Sequence, residues 1–185
     1  MSIKAINAAR AVAKQYSLTP PVNVEALIKD MGIILEDTPL DSMSGFAYQK
    51  DGNRVIGINK SDGDARKKFT MAHELGHMIV HTKDDVTFDK NFVYFRDSRS
   101  STGLMPKEVE ANAFAAELLM PADKLTKQIV SIGGIDLVND SDEIEKLANE
   151  YQVSFSAMTV RIDSLAKQGA WESHKCQSMT LSPNC

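Results

Sequence analysis

One twelve-residue stretch, Thr70 to His81, constrains the fold more than any other part of the chain. It reads TMAHELGHMIVH, and three of the four histidines of the chain recur in it at intervals of four. Apolar residues at three-and-four spacing from Asp64 onward predict one amphipathic helix. On a helix, residues four apart lie about 40° apart in azimuth and about 6 Å apart along the axis. His73 and His77 can therefore direct their imidazoles at one point, and that point can hold a metal.

Of the other polar residues in the stretch, Glu74 is a candidate catalytic residue and His81 is not a candidate ligand. Glu74 projects beside the same point, where its carboxylate can take a proton from a metal-bound water. Zinc suits this set, because a catalytic zinc keeps three protein ligands and one open position. His81 lies about two turns from His73, too far for the same metal, and is assigned to packing, to support of a ligand or to an oxyanion. The alternative is a partly buried helix face with hydrogen-bonded histidines and no metal.

A third ligand has to come from outside the motif. Residues 107–121, KEVEANAFAAELLMP, predict a second, buried helix that ends at its proline. Glu110 and Glu117 share one face of that helix, whereas Glu108 lies near its exposed start. A buried carboxylate is costly unless it is paired or binds metal, and the alanines around Glu110 favour close approach to the histidine helix. We therefore expect Glu110 to be the third ligand, with Glu117 as the competitor and an ordinary ion pair as the alternative role of Glu110.

The rest of the chain predicts a small α+β domain. Three helices are predicted: one over residues 3–16, one that begins after a cap at Asn23, and one that ends at the glycines 133–134. A strand is predicted over 33–37, and a hairpin over 44–61 with Asp51 and Gly52 in its turn. Residues 83–106 predict a long loop that either borders a site or is a solvated insertion. The strand within residues 54–61 is a candidate for pairing with an extended substrate peptide, or is simply part of the sheet.

The last two predicted helices, from Asp142 to Leu165, resemble a helix-turn-helix joined around Gln152 to Ser154. The second of them offers Arg161 as its only basic residue before Lys167, which is a poor supply of phosphate contacts. We therefore expect these helices to serve in packing or protein interaction and not in DNA binding.

Composition excludes several other classes. No apolar run approaches the roughly 18 residues of a membrane span, and the first segment lacks the centre of a secretory signal, so a cytoplasmic protein without membrane contact is expected. The net charge of −4 argues against binding nucleic acid by neutralising phosphates, so the expected partner is a protein or peptide. Cys176 and Cys185 both fall in the last ten residues, so no disulfide and no cysteine ligand is expected in the core.

HELGHMIVH followed by EVEANAFAAELLMP resembles the ImmA/IrrE family of zinc metallo-endopeptidases. With the loop FRDSRSSTG, the likeness spans roughly Val22 to Pro121. The resemblance implies a minimal thermolysin-like zincin core, with a small antiparallel or mixed sheet, the HExxH helix, a second ligand-bearing helix and a sheet edge that holds the substrate. The implied zinc ligands are His73, His77 and Glu110, with Glu74 as general base. Thermolysin-like enzymes support a ligand histidine from an aspartate four residues after the third ligand; after Glu110 that position is Phe114, so the support must be built differently.

The resemblance also implies a substrate, since characterised members of the family cleave or inactivate helix-turn-helix repressors and so release mobile-element or stress-response genes. The prediction is a Zn²⁺-dependent endopeptidase of this kind; the alternative is a non-catalytic DNA- or partner-binding regulator with a protease-like sensing core. Candidate oxyanion donors or supporting residues are Tyr94, Arg96 and His81. We expect a zincin-like domain over residues 1–125, a C-terminal helical subdomain packed on it over 126–171 and a disordered tail over 172–185.

Overall fold

The computed structural model describes residues 2–41, 43–81 and 106–170, together with the backbone of residues 86–89. In these ranges seven helices and four strands form an α+β protein. The elements are α1 (Ile3–Gln15), α2 (Val24–Asp30), β1 (Ile34–Thr38), β2 (Gly45–Lys50), β3 (Asn53–Asn59), α3 (Asp64–Val80), β4 (Val86–Asp89), α4 (Pro106–Leu119), α5 (Ala122–Ser131), α6 (Ser141–Tyr151) and α7 (Phe155–Ala166). None of the seven helices combines the length and apolar character that a membrane crossing requires.

Local signals in the sequence position most of these elements. The first residues of three helices are capped by side chains that accept a backbone N–H, those of Ser2, Asn23 and Ser154. Asp51 and Gly52 adopt φ of 51° and 84°, as the two-residue turn between β2 and β3 requires, which confirms the hairpin. Gln152 lies in the left-handed region and ends α6 before the turn into α7. The predicted helices therefore begin and end close to their expected residues.

The four strands form one mixed sheet in the order β1-β3-β2-β4. β1 is parallel to β3, whereas β2 is antiparallel to both β3 and β4. The prediction that the strand within residues 54–61 receives a substrate peptide is wrong, because β3 is paired on both sides and its backbone groups are already used. Residues 86–89, which were predicted to belong to a long loop, form β4. The edge strands of the described sheet are β1 and β4.

Two glycines allow α3 to pack closely on both of its neighbours. A Cβ on Gly45 of β2 would lie 2.5 Å from Thr70 Cγ2 and 2.9 Å from the oxygen of Gly57, so the glycine lets the sheet approach α3. A Cβ on Gly76 would lie 3.1 Å from the oxygen of Ala111 and 3.2 Å from its Cα. Gly76 therefore lets α4 approach α3 closely.

The C-terminal helices share a hydrophobic core with the rest of the described chain. Their contribution to that single cluster includes Leu125, Ile129, Ile144, Met158 and Ile162. Lys68 of α3 donates its Nζ to the carbonyl of Tyr151 at the end of α6, at 3.0 Å, where a cation is favoured by the helix dipole. The boundary predicted after residue 125 falls inside α5. The division into two units and the likeness to a helix-turn-helix stay predictions, and the expected tail with Cys176 and Cys185 lies outside the described residues.

Candidate metal centre

The two motif histidines converge as their spacing predicts. His73 Nε2 lies 3.0 Å from His77 Nε2. Both rings are nearly inaccessible to solvent, with side chains 1% and 2% exposed. Two ring nitrogens at this separation need a proton or a metal between them, because two lone pairs repel each other.

Glu108 completes a group of three. Its Oε2 lies 3.2 Å from His73 Nε2, and its Oε1 lies 3.3 Å from His77 Nε2. Burial by itself would raise the pKa of Glu108, but hydrogen bonds from both imidazoles outweigh burial and hold that pKa well below its ordinary value. The carboxylate is therefore ionised at neutral pH, as a metal ligand must be.

These three groups fit a four-coordinate divalent metal. Tetrahedral coordination with bonds of about 2.0–2.1 Å places ligand atoms about 3.3 Å apart. The two histidine nitrogens lie 3.0 Å apart, and each lies 3.2 or 3.3 Å from a different carboxylate oxygen of Glu108. One possible ligand atom from each residue lies within 4.8 Å of the other two. Imidazole nitrogen and carboxylate oxygen suit zinc and its neighbours in the first transition series. Three protein ligands leave one position for water or substrate.

Glu110, the expected third ligand, lies on a different face of α4. Positions two residues apart on a helix are separated by about 200°, so Glu108 and Glu110 cannot both point at His73 and His77. Glu110 Oε1 accepts a hydrogen bond from Ser2 Oγ at 2.9 Å, and its Oε2 lies 3.6 Å from His81 Nε2. The structure thus brings Glu108, and not Glu110, to the two histidines.

Glu117, the competing candidate, is also directed away from the histidines. It is 3% exposed and accepts hydrogen bonds from Arg10 Nε, at 2.7 Å, and from Arg161 Nη2. Its burial is therefore explained by pairing with two guanidinium groups. Arg161 is itself 3% exposed and donates its Nε to the carbonyl of Met120. The single basic residue of the supposed recognition helix is thus inside the protein.

A residue that we did not predict holds His73 in place. Asn112 Oδ1 lies 2.8 Å from His73 Nδ1, so Nδ1–H donates to the amide oxygen and Nε2 is the nitrogen that faces the centre. Asn112 is four residues after Glu108, which is the spacing expected for the supporting residue of a thermolysin-like site. The sequence contains this spacing, but with Glu110 as the assumed third ligand the position four residues later is Phe114, which cannot accept a hydrogen bond.

Glu74, the predicted general base, is fully buried on the sheet side of α3. A Cβ on Gly45 would lie 3.3 Å from Glu74 Cγ, so the missing side chain in β2 makes room for the glutamate. Glu74 is next to His73 in the chain, and its role as a base stays a prediction.

His81 lies at the end of α3, next to the centre but outside the group of three. Its Nε2 donates to the carbonyl of Lys107 at 3.2 Å, and its ring centroid is 5.5 Å from that of His77. Burial lowers the pKa of His81 and outweighs the hydrogen bond to the Lys107 carbonyl and the charge of Glu110, which raise it, so the ring is neutral at neutral pH. The other two candidates for an oxyanion donor, Tyr94 and Arg96, lie outside the described residues.

An apolar cleft of about 160 Å³ lies between α3, α4 and α7. Phe69, Val109 and Val160 line it, and Asn112 belongs both to its wall and to the support of His73. The cleft thus shares Asn112 with the site, whereas His73, His77 and Glu108 do not line it.

Comparison with known proteins identifies relatives over part of the chain. "Uncharacterized immunity region protein 2" of Bacillus phage phi105 is 31% identical over 114 residues, which are 62% of this chain and 66% of that protein. Two proteins named "Radiation response metalloprotease IrrE", from Deinococcus deserti and Deinococcus radiodurans, are 32% and 31% identical over 102 residues. That match covers 55% of this chain and 34% and 29% of theirs. The chain therefore spans less than two thirds of the length of each relative.

The family model for the IrrE N-terminal-like domain, Peptidase_M78, matches residues 28–163, a range that contains α3, α4 and all the ligand candidates. The predicted resemblance is thus confirmed, and the chain belongs to this metallopeptidase family.

Proposed function

We propose that the protein is a zinc-dependent endopeptidase that acts on a regulatory protein in the cytoplasm. The observation that carries the proposal is the convergence of His73, His77 and Glu108, whose possible ligand atoms lie within 4.8 Å of one another, with the two Nε2 atoms 3.0 Å apart. Membership of a metallopeptidase family supports a metal at this point.

In this proposal His73, His77 and Glu108 hold the zinc, and Asn112 fixes the tautomer of His73. Two neutral imidazoles and one carboxylate leave a net positive charge on the centre. When bound, zinc supplies Lewis-acid activation of water and of the scissile carbonyl. Glu74 accepts the proton of the attacking water and returns it to the leaving amine, so that one carboxylate serves as base and then as acid.

The proposed substrate strand adds to the outer edge of β4. This strand is an edge of the described sheet, it follows α3 in the chain, and its partner β2 contains Gly45 beside Glu74. An extended peptide that pairs there is held by backbone hydrogen bonds without strong demands on its sequence. This edge replaces the strand that the sequence suggested.

The proposed substrate is a helix-turn-helix transcriptional repressor whose cleavage releases mobile-element or stress-response genes. One relative is named for an immunity region and two for a radiation response, and both names fit a regulatory substrate. The buried position of Arg161 supports action on the repressor protein over direct binding of its DNA.

Zinc content and cleavage of a repressor encoded nearby, measured on the same purified preparations, test the mechanism. Wild type is expected to hold one zinc per chain and to cleave, whereas Glu74→Gln should hold zinc and cleave about 10²- to 10⁴-fold more slowly. A Glu74→Gln variant as fast as wild type, or a wild type that binds no zinc, refutes the mechanism. A wild type that binds zinc and protects operator DNA but never cleaves supports the alternative of a non-catalytic regulator.

The third ligand is tested with a matched pair of isosteric changes on α4. Glu108→Gln removes a charged ligand and should weaken zinc binding strongly. Glu110→Gln keeps an acceptor for the hydroxyl of Ser2 and should bind zinc as wild type does. The reverse result would restore Glu110 as the ligand, as the sequence suggested.

A further inference from the structure

A second polar cluster lies directly behind the metal centre, where the start of α1, the end of α3 and the first turn of α4 meet. We call it the His81 cluster, and its members are Ser2, His81, the carbonyl of Lys107 and Glu110. The proposed mechanism uses none of these groups. Their contacts hold the start of α4, where Glu108 lies between Lys107 and Glu110.

His81 is the centre of this cluster. Its side chain is 7% exposed, its Nε2–H donates to the Lys107 carbonyl at 3.2 Å, and the same nitrogen lies 3.6 Å from Glu110 Oε2. Ser2 Oγ donates to the other oxygen of Glu110 at 2.9 Å. Lys4 of α1 donates its Nζ to the carbonyl of Val80 at 2.9 Å, so α1 also holds the end of α3. The first turn of α4 is thereby attached to two other helices.

These contacts are important because Glu108 lies in the first turn of α4, which by itself is prone to fraying. It is the third residue of α4, within the first turn, where backbone N–H groups lack intrahelical partners and the helix frays most easily. Lys107, whose carbonyl binds His81, immediately precedes Glu108. His81 also follows His77 by four residues on α3, so one helix carries both histidine ligands and the group that holds the third ligand's backbone.

We infer that His81 and Glu110 are positioning residues, which keep the first turn of α4 in place so that Glu108 stays with His73 and His77. The inference rests on the proposed role of Glu108 as third ligand. It gives Glu110 a function toward the metal without any contact with it. Residues that orient metal ligands from behind typically contribute 10- to 100-fold in metal affinity, on the order of the effect expected here.

Two variants of His81 show whether its hydrogen bond, and not the bulk of its ring, supports zinc binding. Zinc affinity is measured by competition with a chromogenic chelator. In His81→Gln the amide nitrogen occupies nearly the place of Nε2 and can donate to the Lys107 carbonyl, so affinity should stay near that of wild type. In His81→Leu the donor is lost, and affinity should fall about 10- to 100-fold. The inference is overturned if His81→Leu binds zinc as tightly as wild type, or if His81→Gln is as weak as His81→Leu.

Glu110 provides an independent variant in case His81→Leu folds poorly. Glu110→Leu should also weaken zinc binding, whereas Glu110→Gln should not. Gln128→Leu serves as a matched control, because Gln128 makes an interhelical hydrogen bond to Glu150 at 2.7 Å, far from this cluster in the chain, and its loss should leave zinc affinity unchanged. Unfolding of each zinc-free variant shows whether the folded state is retained.

Glu108→Gln, measured in parallel, separates the two proposals. If Glu108→Gln binds zinc weakly while His81→Leu and Glu110→Leu bind normally, only the positioning role is refuted. If Glu108→Gln binds zinc as wild type does, the proposed ligand set is refuted and the positioning role with it.

Discussion

At the scale of single residues, the centre depends on which face of α4 each glutamate occupies. The sequence placed Glu110 and Glu117 correctly on one face, and both carboxylates are partnered as a buried charge requires. That face meets α1, however, and not the histidines. The sequence favours Glu110 over Glu108 as a ligand because Glu108 lies near the start of the helix, where exposure is expected. The side chain of Glu108 is 29% exposed. A catalytic metal must remain accessible to substrate, so partial exposure of a ligand is no argument against it.

Substitutions at Asn112 test the support of His73 without changing any proposed metal ligand. Asn112→Ala removes the acceptor of His73 Nδ1–H, which frees the ring to rotate and to change tautomer, so zinc affinity should fall about 10- to 100-fold. Asn112→Asp keeps an acceptor in the same place and adds a negative charge near the cation. It should therefore bind zinc at least as tightly as wild type in the same chelator competition.

The control for Asn112 is Asn149→Ala, on an exposed part of α6, which should leave zinc binding unchanged. Equal affinities for Asn112→Ala and wild type would mean that the 2.8 Å contact does not orient His73.

At the scale of helices and strands, local chemistry was predictable and long-range pairing was not. The backbone preferences of Asn23, Asp51 and Gly52 predict a cap and a turn, and the structure has each of these residues in that role. Nothing local to β3 indicates that β1 pairs with it in parallel and closes its second edge. For the same reason, the sequence did not reveal that residues 86–89 join the sheet beside β2.

Gly76 tests how closely α3 and α4 must pack. An alanine in mid-helix gains about 1 kcal/mol of helix propensity over glycine. Here its Cβ would lie 3.1–3.2 Å from backbone atoms of Ala111, so α4 has to shift by a few tenths of an ångström. Glu108 shifts with that helix, so Gly76→Ala should lower zinc affinity in chelator competition even where thermal unfolding shows little loss of stability.

The matched control is Gly63→Ala, at the start of the same helix, where an added Cβ meets no atom of the described residues within 4 Å. It should leave zinc affinity unchanged. If Gly76→Ala also binds zinc as wild type does, the separation of α3 and α4 is less critical than the contacts suggest.

At the scale of the whole molecule, one ion-pair network joins the first and last described helices, α1 and α7, to α4. Glu117 of α4 accepts from Arg10 of α1 and from Arg161 of α7. The sequence identified Glu117 as a buried carboxylate and Arg161 as an isolated cation, but not their pairing, since 44 residues separate them. The network and the shared core connect α7 directly to α4.

Removing Glu117 tests whether this network stabilises the described protein as one unit. Glu117→Leu leaves Arg161 buried without its carboxylate and should lower the free energy of unfolding by about 3–5 kcal/mol. Arg161→Leu should cost less, because Glu117 keeps Arg10 at 2.7 Å and that guanidinium is half-exposed. The double variant should recover part of the loss, because it leaves no buried charge unpaired. The measurement is urea unfolding of the metal-free protein, followed by far-UV circular dichroism.

The same unfolding curves distinguish one cooperative unit from two. If α5 to α7 belong to a common core, all variants should unfold in a single transition whose midpoint moves with the substitution. Two transitions, of which Glu117→Leu shifts only one, would instead support a separate unit near residues 126–171. A double variant whose loss equals the sum of the two single losses would mean that Glu117 and Arg161 are not energetically coupled. The salt bridge would then be a consequence of helix packing and not a cause of it.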